Sequence, residues 1–281
     1  MIAICPNPYR DIDCSLSLKA MAILKTIHKD CCICPVFAEE GDEILPKRLE
    51  FRSLKDVAGE CELIVVIGGD GTILNVARQV QERPVPILGV NLGTKGFMAN
   101  IEPDELSYLV NAAKGEYKLS RRMMLDVSCM RDGMEIYTGH ALNDVVIHGC
   151  GDCININALC NGNHLTAFNG DGIIVSSPTG STGYSMSAGG PIVEPDAENI
   201  IISPICAHSM SARSFVLGPN ALISIDAHKL HDRRANLSVD GNTIIDIANG
   251  DTIIVKRSDS CTLMVDLGLR NFYEFTFEKL R

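Results

Sequence analysis

The feature that most constrains the fold is an apolar, β-branched run at residues 63–67 that ends directly in Gly68-Gly69-Asp70-Gly71-Thr72. A helical pattern follows at residues 73–80. Short apolar runs alternate with helical patterns through about the first hundred residues, which predicts a parallel sheet with right-handed crossovers. The glycine turn therefore lies at the carboxyl end of a strand, where open α/β sheets bind their ligands.

The chain divides into two regions of different pattern. In the first, strands are predicted at residues 2–5, 31–37, 63–67 and 87–90, and helices at 16–27, 46–57, 73–80 and 105–113. Beyond about residue 116 the pattern changes to short alternating runs. These are joined by hairpin-type dipeptides at Asp132-Gly133, Asn161-Gly162, Asp240-Gly241 and Asn249-Gly250. We predict an α/β domain over residues 1–110 and a mainly β domain over 111–267, with a ligand cleft between them. The tail at 268–281, helix or strand, is predicted to return to the first domain.

Composition limits the partners and the compartment. The net charge is −10, which disfavours nucleic acid or an anionic membrane as a partner. No apolar run approaches the ~20 residues of a membrane span. The opening residues lack the pattern of a secretory signal, so we expect a cytoplasmic protein. The 12 cysteines are then expected to be free thiols, with a structural zinc at the CxxC pair Cys150 and Cys153 as the alternative.

The glycine turn combines the properties of a phosphate site with a carboxylate. Glycines let a phosphate approach the backbone, and a helix N-terminus attracts it. No P-loop motif occurs, and no GxGxxG follows a strand. Thr72 can cap the helix or donate to a phosphate. Asp70 can take a proton from an attacking hydroxyl or hold a metal, and the alternative is that it merely begins a tight turn.

A second candidate site is the segment at residues 171–190, DGIIVSSPTGSTGYSMSAGG. Its small hydroxyl side chains offer donors and acceptors to a closely packed ligand. Tyr184 offers a ring face to a purine, and Asp171 can accept hydrogen bonds from vicinal ribose hydroxyls. A solvent-exposed Ser/Thr loop is the alternative. Asn143 and Asp144 open a strand, and for this pair taken alone a strand-start turn is favoured.

Taken together, these motifs resemble the NAD kinase family. The segments that carry the resemblance occur in that family's order: GGDGT, LGTKGF, LNDVVIH, DGIIVSSPTGSTGYSMSAGGPIV, SARSFVL and SVDGN. The resemblance implies a Rossmann-like, phosphofructokinase-like α/β domain and a β-rich NAD-binding domain. It implies transfer of the γ-phosphate of ATP, or of polyphosphate, to the 2′-hydroxyl of the adenosine ribose of NAD. A divalent cation, most commonly Mg²⁺, and a homodimer or homotetramer are implied as well.

The resemblance also implies roles for individual residues. Asp70 is expected to be the general base, with metal binding as its alternative role. The phosphate donor is expected at Gly68, Gly69, Gly71 and Thr72. NAD is expected at Gly71, Phe97, Asn143, Asp144, Asp171, Thr182, Gly183, Tyr184, Ser187, Asp240 and Asn242.

Two departures from the family pattern and two other hypotheses complete this interpretation. Asp144 stands where the family has a glutamate, so its reach is one methylene shorter. Lys95 stands where an apolar residue is common and is interpreted as solvated surface. A lipid or sugar kinase that shares GGDG is disfavoured by the hydroxyl-rich segment at 171–190. A non-catalytic NAD(P)-binding sensor on the same fold is disfavoured by the intact Asp70.

Overall fold

The computed structural model describes residues 1–93, 96–228, 230 and 233–280, with the backbone alone at 227 and 228. Lys95 lies outside the described residues. The chain forms two compact units, Met1–Arg121 with Thr262–Arg281, and Arg122–Cys261.

The structure contains helices of ordinary α type and short 3₁₀ turns besides its strands. The α-helices are α1 Ser15–Lys25, α2 Leu54–Val57, α3 Asp70–Gln79, α4 Leu109–Ala113, α5 Tyr184–Ser187 and α6 Phe272–Leu280. The strands are β1 Ile2–Pro6, β2 Cys31–Ile33, β3 Leu63–Gly68, β4 Ile87–Asn91, β5 Lys118–Arg131, β6 Met134–Ala141, β7 Asp144–Gly149, β8 Ile154–Cys160, β9 Asn163–Gly170, β10 Gly172–Ser176, β11 Ile200–Ile205, β12 Phe215–Leu217, β13 Ile223–His228, β14 Ala235–Val239, β15 Asn242–Ile247 and β16 Thr252–Asp266. Among the described residues, no helix is long and apolar enough to cross a membrane.

The first unit is built on a parallel sheet with the order β2-β1-β3-β4. Every residue of β3 is buried, because a parallel strand covered on both faces needs a continuous apolar run. The core lies between this sheet and the helices α1 and α4. The carboxyl end of β3 leads within two residues into α3, so the glycine turn lies at the ligand-binding edge that the sequence predicts.

Two predicted elements of this unit are shorter than expected. The strand predicted at 31–37 ends at Ile33, because Pro35 has no N–H to give, although Cys34 and Val36 still donate to Ile4 and Pro6 of β1. The helix predicted at 46–57 is wrong over most of its length, and only α2 and a 3₁₀ turn at Ala58–Glu60 are helical. The N–H of Arg52 donates to the carbonyl of Ile33, and this tertiary bond continues the edge of β2 in place of a helical bond.

The second unit consists of two sheets that share one hydrophobic core. One sheet is antiparallel throughout, with the order β12-β11-β10-β7-β14-β15. Its register sets Ser176 opposite Asp144 and Val239 opposite Val145. The start of β7, the end of β10 and the turn after β14 therefore meet at one edge of the sheet. The predicted class, an α/β domain followed by a mainly β domain, is confirmed.

Candidate active site

Asp70 is the first residue of α3 and lies where the glycine turn meets the helix. Its two carboxylate oxygens accept hydrogen bonds from the backbone N–H groups of Phe97 and Met98, each at 3.0 Å. Burial raises the pKa of Asp70 above the ordinary carboxyl value, while these two N–H groups and the charge of Lys279 act in the opposite direction. The side chain is thus held in place by two backbone N–H groups, and its pKa is raised.

Thr72 is buried, and its hydroxyl packs over the end of β3. Its Oγ1 accepts a hydrogen bond from Asn7 Nδ2 at 3.3 Å, and α3 has no side-chain cap. A Cβ added at Gly68 would lie 2.4 Å from Thr72 Oγ1, so only glycine fits there. Gly71 is different, because a Cβ there would meet nothing within 4 Å. Gly69 is the N-cap and Thr72 is the third residue of α3, so Thr72 does not cap the helix, and its donation to a phosphate stays a prediction.

The segment that binds Asp70 is itself anchored by residues that the sequence analysis missed. Asn91, at the end of β4, accepts the N–H of Gly93 at 2.9 Å and donates to both carboxylate oxygens of Glu102 at 3.2 Å. The side chain of Asn91 leaves no room for a Cβ at Gly96, which has a φ of +59°. A buried asparagine at the end of a strand is the signal that could have identified this anchor.

Phe97, predicted to face NAD, contacts the C-terminal helix. Its ring lies edge-on to Phe275 of α6, with the centroids 6.3 Å apart. Lys279 lies 5.1 Å above the Phe275 ring and 3.7 Å from Glu102. Arg270, just before α6, donates to the carbonyl of Asn100 and pairs with Glu105. The segment from Phe97 to Glu105 is therefore fixed to the tail of the chain.

In the second unit, Asn143 and Asp144 lie at the sheet edge formed by the ends of β7, β10 and β14. The carbonyl of Asn143 accepts the N–H of Ser177 at 2.8 Å. Its Oδ1 is buried, and among the described residues none gives it a hydrogen bond. Burial and the charge of Asp240 raise the pKa of Asp144 to about 7.

Asp171 and Tyr184 are brought together with a cysteine that the sequence analysis overlooked. Burial raises the pKa of the Tyr184 phenol, and the charges of Cys206, Asp171 and Asp144 raise it further. A hydrogen bond to Asp171 raises the pKa of the Cys206 thiol. Tyr184 is 41% exposed, so its ring is accessible to a ligand.

The remaining predicted residues lie in the turn after β10, in α5 and at the start of β15. Thr182 Oγ1 donates to the carbonyl of Thr179 at 3.3 Å. A Cβ at Gly183 would lie 3.6 Å from Asn143 Nδ2. Ser187 ends α5 and is exposed, and Asn242 donates to the carbonyls of its own turn. The first unit thus brings together Gly68, Gly69, Asp70, Gly71, Thr72 and Phe97. In the second unit Asn143, Asp144, Gly183 and Asp240 lie together at the sheet edge, whereas Asp171 precedes β10 at the opposite end of that strand.

The cysteines have ordinary surroundings for thiols. All twelve are free. Among the described residues, no three His, Cys, Asp or Glu side chains lie together as a metal site. Cys153 Sγ lies 3.8 Å from His208 Nδ1, and Cys150 Sγ accepts from Asn236, so these two predicted candidates have separate partners.

Comparison with known proteins places this architecture in a family. Residues 24–115 match the ATP-NAD kinase N-terminal domain, and residues 142–267 match the ATP-NAD kinase C-terminal domain. The chain belongs to the NAD kinase family. The resemblance inferred from the motifs is confirmed.

Individual relatives agree with this assignment. An NAD kinase of Natranaerobius thermophilus is 44% identical over 229 residues, which are 80% of this chain and 80% of the relative. An NAD kinase of Geotalea daltonii is 41% identical over 229 residues, again 80% of both chains.

Two solved structures share the NAD kinase fold of this chain. Yeast NADH kinase complexed with NADH has a TM-score of 0.84 at 24% identity, covering 99% of this chain and 85% of that one. An NAD kinase from Archaeoglobus fulgidus in complex with ATP has a TM-score of 0.76 at 23% identity, covering 100% of this chain and 99% of that one.

Proposed function

We propose that this chain transfers the γ-phosphoryl group of ATP to the 2′-hydroxyl of the adenosine ribose of NAD, with Asp70 as the general base. The observation that carries the proposal is the arrangement at Asp70. A carboxylate of raised pKa sits at the N-terminus of α3, immediately after the glycine turn. The turn and helix end suit a phosphate donor, and a base beside them suits an alcohol acceptor.

In the proposed reaction, the 2′-oxygen of the ribose attacks the γ-phosphorus. The bond from that phosphorus to its bridging oxygen breaks, ADP leaves, and the hydroxyl proton passes to the carboxylate of Asp70. Each oxygen of Asp70 accepts one N–H, and a carboxylate oxygen has two lone pairs, so either oxygen can take the proton. Gly68, Gly69, Gly71 and Thr72 are proposed to line the donor phosphates.

The second unit is proposed to bind NAD. The buried and unpartnered Oδ1 of Asn143 supports this role, since such an atom costs free energy until a ligand donates to it. Asp144 and Asp171 are proposed to accept from ribose hydroxyls, and the exposed ring of Tyr184 to stack on adenine. Thr182, Gly183, Ser187, Asp240 and Asn242 are proposed to surround the ligand, while Gly71 and Phe97 are proposed as contacts from the first unit.

A divalent cation, Mg²⁺ first of all, is proposed as part of the reaction. Magnesium in nucleotide sites is usually held by one or two carboxylates, substrate phosphates and water. The described residues contain no three-ligand cluster and so fit a cation held chiefly by ATP, with Asp70 as the candidate protein ligand. When bound, the cation would neutralise charge on the phosphates.

Further properties are proposed from the family resemblance. The protein is proposed to work in the cytoplasm as a homodimer or homotetramer, which sedimentation of the purified chain would test. Polyphosphate is a second proposed donor. An assay panel with ATP and polyphosphate as separate donors would test the donor preference.

The central experiment incubates the purified chain with NAD, ATP and Mg²⁺ and measures NADP. We expect NADP to form and the rate to fall by about 10²–10⁴ in Asp70→Asn, the usual contribution of a positioned base. Asp56→Asn is a control that removes a carboxylate from α2 in the same unit and is expected to leave the rate unchanged. Tight binding of NAD without turnover by the wild type would favour the sensor hypothesis instead.

A further inference from the structure

One carboxylate binds the backbone N–H groups of the segment that bears the proposed NAD ligands Asn143 and Asp144. Leu142 and Asn143 lie between β6 and β7, outside both strands. Their N–H groups donate to Asp240, from Leu142 to Oδ2 at 2.9 Å and from Asn143 to Oδ1 at 2.7 Å. The N–H of Asp144 donates to the same Oδ1 at 3.1 Å. Three consecutive N–H groups thus converge on one side chain.

The hairpin between β14 and β15 brings Asp240 to this segment. Asp240 and Gly241 have φ angles of +47° and +76°, the left-handed pair that a tight two-residue hairpin turn requires. The N–H of Asp240 donates to the carbonyl of Asp144 at 3.0 Å. Pairing of β14 with β7 therefore fixes the turn beside Asn143 and Asp144.

The opposite side of the segment is held by the end of β10. The N–H of Ser177 donates to the carbonyl of Asn143, and its hydroxyl donates to that of Leu142. Asp240 thus binds the N–H groups of Leu142 and Asn143, and Ser177 binds their carbonyls. These bonds fix the orientation of the peptide planes at Asn143. The buried Oδ1 of Asn143 receives no hydrogen bond from the part of the chain that the structure describes.

We propose that Asp240 is a positioning residue that fixes the backbone at Asn143 and Asp144 so that their side chains meet NAD. This inference rests on the proposed function and revises the direct contact that the family resemblance implies for Asp240. A carboxylate has about four acceptor sites, and three N–H groups already occupy this one. Asp240 therefore acts through Asn143 and Asp144.

The first test compares Asp240→Asn with the wild type. In the variant an amide NH₂, which is a donor, faces backbone N–H groups, which are also donors. The segment therefore loses its charge-assisted hydrogen bonds. We expect the Kd for NAD, measured by calorimetry without ATP, to rise on the order of 10- to 100-fold. The KM for ATP is expected to change by less than about 2-fold, since the segment holds NAD. Asp246→Asn removes the same charge from an exposed position on β15 and is expected to leave both values unchanged.

A double-mutant cycle with Asn143→Ala separates positioning from direct contact. If Asp240 acts through Asn143, adding Asp240→Asn to Asn143→Ala costs much less NAD affinity than it costs in the wild type. Independent, additive losses would overturn the proposal, because they indicate that Asp240 contacts NAD itself.

Hydrogen exchange on the wild type tests the geometry even if Asp240→Asn does not fold. The amides of Leu142 and Asn143 have no strand partner, so slow exchange at both supports the carboxylate as their acceptor, and rapid exchange at both overturns it. Formation of NADP by the wild type is measured alongside. Its failure would reject the proposed reaction, while the exchange rates and NAD affinities would still decide the role of Asp240.

Discussion

The carboxylates of the half-buried Asp70 and the buried Asp144 have different surroundings, and these surroundings give them different properties. Asp70 receives two backbone N–H groups and lies near the charge of Lys279. Asp144 is 6% exposed, and its neighbouring charge is the like charge of Asp240. Burial therefore raises both pKa values, but only for Asp144 does a neighbouring charge add to that effect.

The raised pKa of Asp144 predicts a pH-dependent stability. Its pKa is about 7 in the folded protein, against an ordinary value of 3.8. The stability that protonated Asp144 contributes is fully present below pH 3.8 and is lost as the pH rises through 7. Asp144→Asn has no such loss, so its stability relative to wild type should increase by about 2–3 kcal/mol between pH 5 and pH 8.

Chemical denaturation at the two pH values measures this difference. Asp246→Asn, an exposed carboxylate on the same sheet, should show a difference from wild type that is constant with pH. A constant difference for Asp144→Asn as well would contradict the assignment of a raised pKa to that side chain.

Single residues could be identified from the sequence more readily than their roles. Asp70 could be predicted because a strand, glycines and a helix adjoin it along the chain. Asp240 was recognised in SVDGN, but its partners are 96 to 98 positions away. Asn91 was missed because the groups it binds are set by the folded loop, and Cys206 was missed because its approach to Asp171 depends on the pairing of β10 and β11.

At the scale of elements, the turn after β10 packs directly on the segment held by Asp240. A Cβ at Gly180 would lie 2.2 Å from the carbonyl oxygen of Asn143, a backbone atom. We predict that Gly180→Ala forces the two apart and weakens NAD affinity by about 10-fold or more, since overpacking typically costs 1–3 kcal/mol. Gly218→Ala, whose Cβ meets nothing within 4 Å, is the matched control. Unchanged affinity in Gly180→Ala would show that the turn does not constrain the ligand.

Helix α6 is the element through which the tail of the chain influences Asp70. The Lys279 charge favours the ionised form of Asp70, acting with the N–H groups of Phe97 and Met98 against burial. Lys279→Gln should therefore raise the pKa of Asp70 further and move the acidic limb of kcat/KM to higher pH. Lys114→Gln removes the same charge just after α4 and should leave the limb in place. If the acidic limb of the kcat/KM profile lies at the same pH in Lys279→Gln as in the wild type, the charge of Lys279 does not affect Asp70.

Elements were predictable where the pattern was long and local. The buried strands β1, β3 and β4 and the helix α3 follow directly from periodicity. The backbone conformation of residues 46–53 was not predictable from the sequence, because tertiary contacts of Arg52 and of the buried Phe51 determine it. For the tail, helix and strand were both open, and its packing as α6 against Phe97 and Glu102 decides for the helix.

At the scale of the whole molecule, the proposed function requires an acidic protein to bind two anionic substrates. With a net charge of −10, no general attraction of phosphates is available, so local groups must provide it. The N-terminus of α3 and its glycine turn are such groups in the first unit. A cation that arrives with ATP would reduce the remaining repulsion without any resident metal.

Chelation distinguishes a cation that comes with the substrate from one that belongs to the fold. We predict that EDTA abolishes NADP formation, that Mg²⁺ restores it, and that the Tm without substrates changes by less than about 1 °C. The Tm is expected to be constant because the described residues hold no three-ligand cluster, and a structural metal would contribute its binding free energy to folding. A Tm that falls in EDTA and recovers with Zn²⁺ would instead indicate a structural site, and Cys150→Ser and Cys153→Ser would then test whether the CxxC pair provides it.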